Sequence, residues 1–216
     1  MNESNLASLV ARTLQLLGAN AASAGTALLL LTGGATALDL LLPDDSIAVS
    51  NIPLTIALLC AASIVTRAAM ARAGLAVAGD DLRFGTLFGI SLLGNLGIIL
   101  GLLLLVIPGL YLSARWFMAV PAMFAEDRSA SDALGTSWQA TREHAWPLVG
   151  LTLLVYLPPF VLAVLVNLFA SLLPAAAMSA TTNMMVYGSV IIGWHAAVAT
   201  YAALRGSEAR LEEVFA

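Results

Sequence analysis

The chain has 216 residues, 60% of them hydrophobic and only 10% charged, and a mean hydropathy of +0.93. These values lie outside the range of soluble domains and place the chain in lipid. A net charge of -4 with no basic patch excludes a nucleic-acid partner, because phosphate binding needs clustered cations.

Near the N-terminus, residues 4 to 18 set Leu6, Leu9, Val10, Leu14 and Leu17 on one stripe, with Ser8, Arg12 and Gln15 off it. That spacing predicts an amphipathic helix lying in the membrane interface. Glu3, and then Arg12 and Gln15 inside the would-be apolar core, argue against a cleaved signal peptide at Ala22-Ser23-Ala24. A spanning helix needs about 20 mostly apolar residues to cross about 30 Å of hydrocarbon. Segments 21 to 42, 52 to 72, 85 to 107 and 183 to 204 meet that length. Segment 147 to 172 does too, with Pro158-Pro159 expected to kink it or split it into half-helices. Segment 110 to 125 is short, giving about 24 Å of helix. The single cysteine, Cys60, cannot form an internal disulfide and is expected to pack within a helix.

Charge decides whether the short segment crosses, because cytoplasmic loops collect arginine. With six crossings and the N-terminus inside, Arg12, Arg67, Arg72, Arg83, Arg128, Arg142, Arg205 and Arg210 all fall on the cytoplasmic side, and only Arg115 is left over. The outer connections are then Pro43 to Asn51, carrying Asp44 and Asp45, a Pro108-Gly109 turn, and Leu173 to Thr182, none with a basic residue. Between the fourth and fifth spans, Ala133, Leu134, Ser137, Trp138 and Thr141 follow helical spacing, with Ser129 as N-cap. This predicts a short interfacial helix on the inner side. The expected fold is thus an all-α integral membrane bundle of six transmembrane helices, the fourth short and the fifth proline-kinked. It forms one domain: an amphipathic helix over 1–20, the bundle over 21–204 and a cytoplasmic tail over 205–216.

Pro108-Gly109, Tyr111, Arg115-Trp116, Pro121, Glu126, Ala133-Leu134, Ser137-Trp138, Thr141-Arg142 and Trp146 occur in an order that resembles the glycerophosphoryl diester phosphodiesterase membrane-domain family. It also resembles related small bacterial six-helix membrane proteins. The pattern spans roughly residues 100 to 150. The resemblance implies an all-helical bacterial inner-membrane domain that can accompany a catalytic domain without itself hydrolysing anything. No phosphodiesterase domain follows Ala216, so hydrolysis is not expected to carry over.

Ionisable groups inside a membrane are functional candidates. Arg115, four residues past Tyr111, is expected about 6 Å below the outer turn. There it either snorkels or satisfies carbonyls freed at the Pro108-Gly109 break, or else, with Tyr111 and Trp116, holds a lipid phosphate or another anion. Arg115 and Trp138 are then on opposite membrane faces. His195 is expected to be a buried neutral histidine bonded to another helix, and Asn95 and Asn167 to be interhelical hydrogen-bonders. Asp39 is expected to be solvated. Gly85, Gly89, Gly97 and Gly101 form small-x-x-x-small pairs expected to pack inside the bundle. No metal-site spacing, cofactor motif or nucleophile elbow is found.

The function expected is a non-enzymatic inner-membrane protein, lipid-interacting or an accessory subunit. Its partners would be membrane lipids and either a membrane or cytoplasmic protein or a second copy. The docking residues would be Trp138, Arg142 and, in the charged tail, Leu211 and Phe215. The alternative is a transporter or flippase for a lipid or small amphiphile, with breaks at Pro108, Gly109, Pro121, Pro158 and Pro159 lining its site.

Overall fold

A computed structural model describes residues 5–42, 47–79, 81–169 and 172–215, excluding the side chains of 47–51 and 206–215. The described residues form an all-helical fold in which five helices are long and apolar enough to cross a membrane: Ala21–Leu41, Ile52–Arg72, Phe84–Leu104, Arg142–Leu168 and Ala175–Arg205. Leucines such as Leu29, Leu30, Leu41 and Leu103 point outward, the arrangement of a protein whose solvent is lipid. The chain is an integral membrane protein.

Helix α1 (Leu6–Ala19) starts at Asn5, whose side chain accepts the Ser8 N–H at 2.8 Å. It buries Leu9, Thr13 and Leu16, a face rotated from the predicted stripe, so that Leu14 is exposed. The rotation is possible because the Thr13 hydroxyl donates to the Leu9 carbonyl at 2.7 Å, which removes the cost of burying it. Asn20 forms the corner to α2 (Ala21–Leu41). Helix α3 (Ile47–Arg72) begins inside the predicted outer connection and carries Pro53 within it. Asp44 and Asp45 lie outside the described residues.

Helix α4 (Phe84–Leu104) and α5 (Val106–Arg115) form a hairpin. Its break is not at Pro108-Gly109. Leu105 alone is extended, with φ -163° and ψ 146°, and Pro108 and Gly109 sit in the first turn of α5, where a missing N–H costs nothing. Gly109 serves the crossing instead: a Cβ on Gly101 would stand 2.8 Å from the Gly109 Cα. Gly97 seats the Trp116 ring and Gly89 meets Ala130, whereas Gly85 faces open space. The inside packing expected of the four glycines thus holds for three.

The predicted 110–125 helix is interrupted at 116–118, and α6 (Ala119–Glu126) follows. Pro121 has no N–H to give the Phe117 carbonyl, which favours interruption just before it. Helix α7 (Ala130–Ala140) is capped by Ser129, which accepts from the Asp132 N–H. A 3-10 turn, Arg142–His144, leads into α8 (Ala145–Leu168). Pro158 and Pro159 lie within α8 and do not split it. The final helix, α9 (Ala175–Phe215), packs antiparallel to α8 and also against α1, α2 and α3. Asn167 bonds Thr182 at 3.3 Å and Tyr156 abuts Gly193; both contacts obey one register, which sets Ala145 opposite Leu204.

Candidate functional site

The largest fully buried side chain is Arg115, 1% exposed. It ends α5, and its own carbonyl, one of the last in the helix and so without an intrahelical donor, accepts from Ser137 Oγ at 2.8 Å and Thr141 Oγ1 at 3.1 Å. Ser137 also accepts the Met118 N–H at 3.3 Å. One face of α7 therefore closes the gap between α5 and α6. The guanidinium carbon lies 4.3 Å from the ring centre of Trp138 and 5.8 Å from that of Tyr111. Trp138 meets Tyr111 edge-on at 6.0 Å and Trp116 at 6.3 Å. Nε and Nη1 of Arg115 are buried with no hydrogen-bond partner, and no carboxylate among the described residues pairs with it.

Arg115 and Trp138 thus share one site, contrary to the expectation of opposite faces. Moving the turn from Pro108-Gly109 to Leu105 lowers Arg115 to about 15 Å below it. The side chain cannot snorkel back to the turn over that distance. Meanwhile α7 folds back along α4 and α6, carrying Trp138 to the end of α5. The expected pair Tyr111 and Trp116 is present, with Trp138 between them.

The family of the membrane domain of glycerophosphoryl diester phosphodiesterase matches residues 91–199. The chain belongs to this family. No curated protein and no solved structure matches it. The family match runs from within α4 into α9 and encloses Arg115, Tyr111, Trp116, Trp138 and His195.

His195, fully buried, places Nδ1 2.8 Å from the Ile191 carbonyl and Nε2 3.1 Å from Asn20 Nδ2. A carbonyl only accepts, so Nδ1 carries the proton and Nε2 accepts from Asn20. That amide nitrogen also faces the Val65 carbonyl at 3.4 Å. The network ties α9 to the α1–α2 corner and to α3. Asn167 bonds Thr182 on the neighbouring helix, while Asn95 is exposed on α4 and has no interhelical partner among the described residues. Asp39 is exposed but accepts from Ser179 Oγ at 2.5 Å and Asn183 Nδ2 at 2.8 Å. Sequence reading passed over this cluster, although Thr36 and Asp39 on α2 and Ser179 and Asn183 on α9 share helical faces.

The opposite end of the bundle holds a second polar set. Arg83 and Asp127, the two non-glycine residues with positive φ among those described (48° and 52°), pair with each other at 2.5 Å. Arg83 also donates to the carbonyls of Met123 and Arg128. Glu126 accepts from Arg205, from Tyr201 at 3.0 Å and from Arg128 at 3.2 Å. Burial works to raise its carboxyl, but the donors outweigh burial and hold it below the usual carboxylate range. Arg142 and Trp146 are both exposed. The side chains of Leu211 and Phe215 lie outside the described residues.

Three apolar grooves run along the bundle. Thr13, Pro158 and Ser189 line one, Cys60 and Ala61 a second, and Leu110, Thr152 and Tyr156 a third. Neither Arg115 nor His195 lines any of these three. Among the described residues, no group of three His, Cys, Asp or Glu side chains is placed to hold a metal.

Proposed function

We propose that this chain is a multi-pass protein of a bacterial inner membrane, with both termini cytoplasmic, that binds an anionic lipid through Arg115. In this reading it serves a partner as a non-catalytic accessory membrane unit. The observation that carries it is the buried guanidinium with two orphan donors and no counter-ion among the described residues. A buried charge is stable only when paired and hydrogen-bonded, and stacking on Trp138 contributes only about 1–2 kcal/mol. A phosphate oxygen supplies both missing elements at once, reaching the guanidinium when the exposed Trp138 ring that covers it swings aside. The accessory role draws on membership in a family described as the membrane domain of an enzyme. A transporter finds less support, because neither Arg115 nor His195 lines any of the three grooves and α8 continues through its prolines.

The test titrates delipidated protein with phosphatidylglycerol, phosphatidylcholine and inorganic phosphate, comparing wild type with Arg115→Gln. Phosphatidylglycerol should bind wild type at least about tenfold more tightly than the variant, as expected for loss of a charge-assisted contact. Phosphatidylcholine should bind both weakly. Competition by inorganic phosphate at comparable affinity would assign the site to a free anion. Unchanged phosphatidylglycerol binding in Arg115→Gln would overturn the proposal.

A further inference from the structure

Six crossings leave Arg115 as the one arginine away from the inner face. The packing of α4 and α5 removes that exception. The Arg115 carbonyl is held by Thr141, four residues before α8 begins, and exposed Arg142 and Glu143 follow Thr141 directly. Exposed charged side chains belong outside the hydrocarbon, and Trp138 and Trp146, both exposed, mark the headgroup level. The α8–α9 register places Ala145 opposite Leu204, next to Arg205, which binds Glu126. In agreement, Ala114, Leu148 and Ala203 share one buried cluster. Arg115 therefore lies at the arginine-rich end.

From that level α5 rises through only ten residues, about 15 Å. Helix α8 starts at the same level and has 24 residues, about 36 Å, enough for the whole hydrocarbon layer. Leu110 on α5 shares a groove with α8 that starts at Thr152 and Leu153, in its first half, and runs on past the end of α5 to Phe160 and Ala163. In this second half of α8, Phe160, Val161, Leu162, Leu165 and Leu168 are exposed. Leu102 to Ile107, around the turn, are all exposed and all aliphatic, with no polar group for a water-facing loop. The start of α4 runs beside α7, with Gly89 against Ala130, while Gly97 in its second half meets Trp116 at the end of α5. Because α7 exposes Asp132 and Gln139, that end of α4 starts at the membrane surface.

We infer that α4 and α5 form a re-entrant hairpin that enters from the arginine-rich face, turns at Leu105 near mid-bilayer and returns to the same face. Helices α2, α3, α8 and α9 make the crossings, and all nine arginines then obey the positive-inside rule. For lipid binding, which rests on the reading of Arg115 given above, the ligand becomes a phospholipid of the inner leaflet. The hairpin itself does not depend on that reading.

The test uses single cysteines in full-length Cys60→Ser protein, labelled with a membrane-impermeant maleimide in right-side-out and inverted vesicles. Gln139→Cys should label only from the inner side and Ala175→Cys only from the outer side. Leu105→Cys should label from neither. A spin label at Leu105→Cys should show the high oxygen and low nickel-complex accessibility of the bilayer centre. Labelling of Leu105→Cys from the side that labels Ala175→Cys would establish a full crossing and overturn the inference. Labelling from the inner side would overturn it as well, by placing the tip in water. Phosphatidylglycerol binding lost in Arg115→Gln would survive either result, so topology and ligand fail separately.

Discussion

The guanidinium of Arg115 stacks on the ring of Trp138 at 4.3 Å, although the two residues belong to different helices and are separated in sequence by the interruption at 116–118 and by α6. This contact converts two features that read separately in sequence into one site. It also makes the aromatic ring part of what keeps the cation dry.

Trp138→Ala should therefore destabilise the bundle by about 1–3 kcal/mol, less than full truncation of a buried tryptophan because the ring is partly exposed. Trp138→Phe should recover most of the loss, since a ring face remains. Thermal unfolding in detergent checks both. Equal loss in the two variants would mean that the indole contributes by shape alone.

The hairpin crossing makes a second, contrasting prediction. Gly101→Ala forces its Cβ to within 2.8 Å of the Gly109 Cα and 2.9 Å of its nitrogen, backbone that cannot rotate away. A cost of about 1–3 kcal/mol is expected. Gly85→Ala meets nothing within 4 Å and should be neutral or stabilising by up to about 1 kcal/mol, through reduced unfolded-state entropy. Equal unfolding midpoints for the two variants would refute the close approach.

Glu126 gives stability a pH dependence of definite sign. Its folded value is lowered from 4.5, with desolvation opposing and the Arg205, Tyr201 and Arg128 hydrogen bonds prevailing. The unfolded chain then takes up a proton first as pH falls. The stabilisation is fully present above 4.5 and disappears as pH drops through the lowered folded value. Melting curves of wild type and Glu126→Gln should converge on acidification below that point. A gap that widens there would contradict the ion-pair assignment.

At Asn20, replacement by Leu leaves His195 Nε2 buried without its donor and should cost about 1–3 kcal/mol. Nitrogen-15 spectra of the wild-type imidazole should show the neutral tautomer protonated at Nδ1. A tautomer protonated at Nε2 would mean that the Asn20 amide is reversed.

The helical class, the membrane setting and the family were legible in the sequence, as was the presence of an arginine isolated among apolar residues, because apolar length and a lone cation are local signals. Hydropathy also found α2, α4 and α8. The position of the α4–α5 turn was not legible. Pro108-Gly109 is a strong turn signal, yet proline is equally at home in the first turn of a helix, and only the Gly101–Gly109 contact selects that alternative. The rotated face of α1 was hidden because Thr13 satisfies its hydroxyl within its own helix. Partners such as Asn20 for His195 and Trp138 for Arg115 depend on register between distant helices, which no periodicity within one segment encodes.

The most direct measurement is a 15N–31P dipolar-dephasing experiment on protein labelled at its arginine side chains and reconstituted in phosphatidylglycerol bilayers. A guanidinium signal should be strongly dephased by lipid phosphorus in wild type and missing from Arg115→Gln, while Arg142→Gln keeps it. Identical dephasing in wild type and folded Arg115→Gln would contradict the claim that Arg115 holds a lipid phosphate.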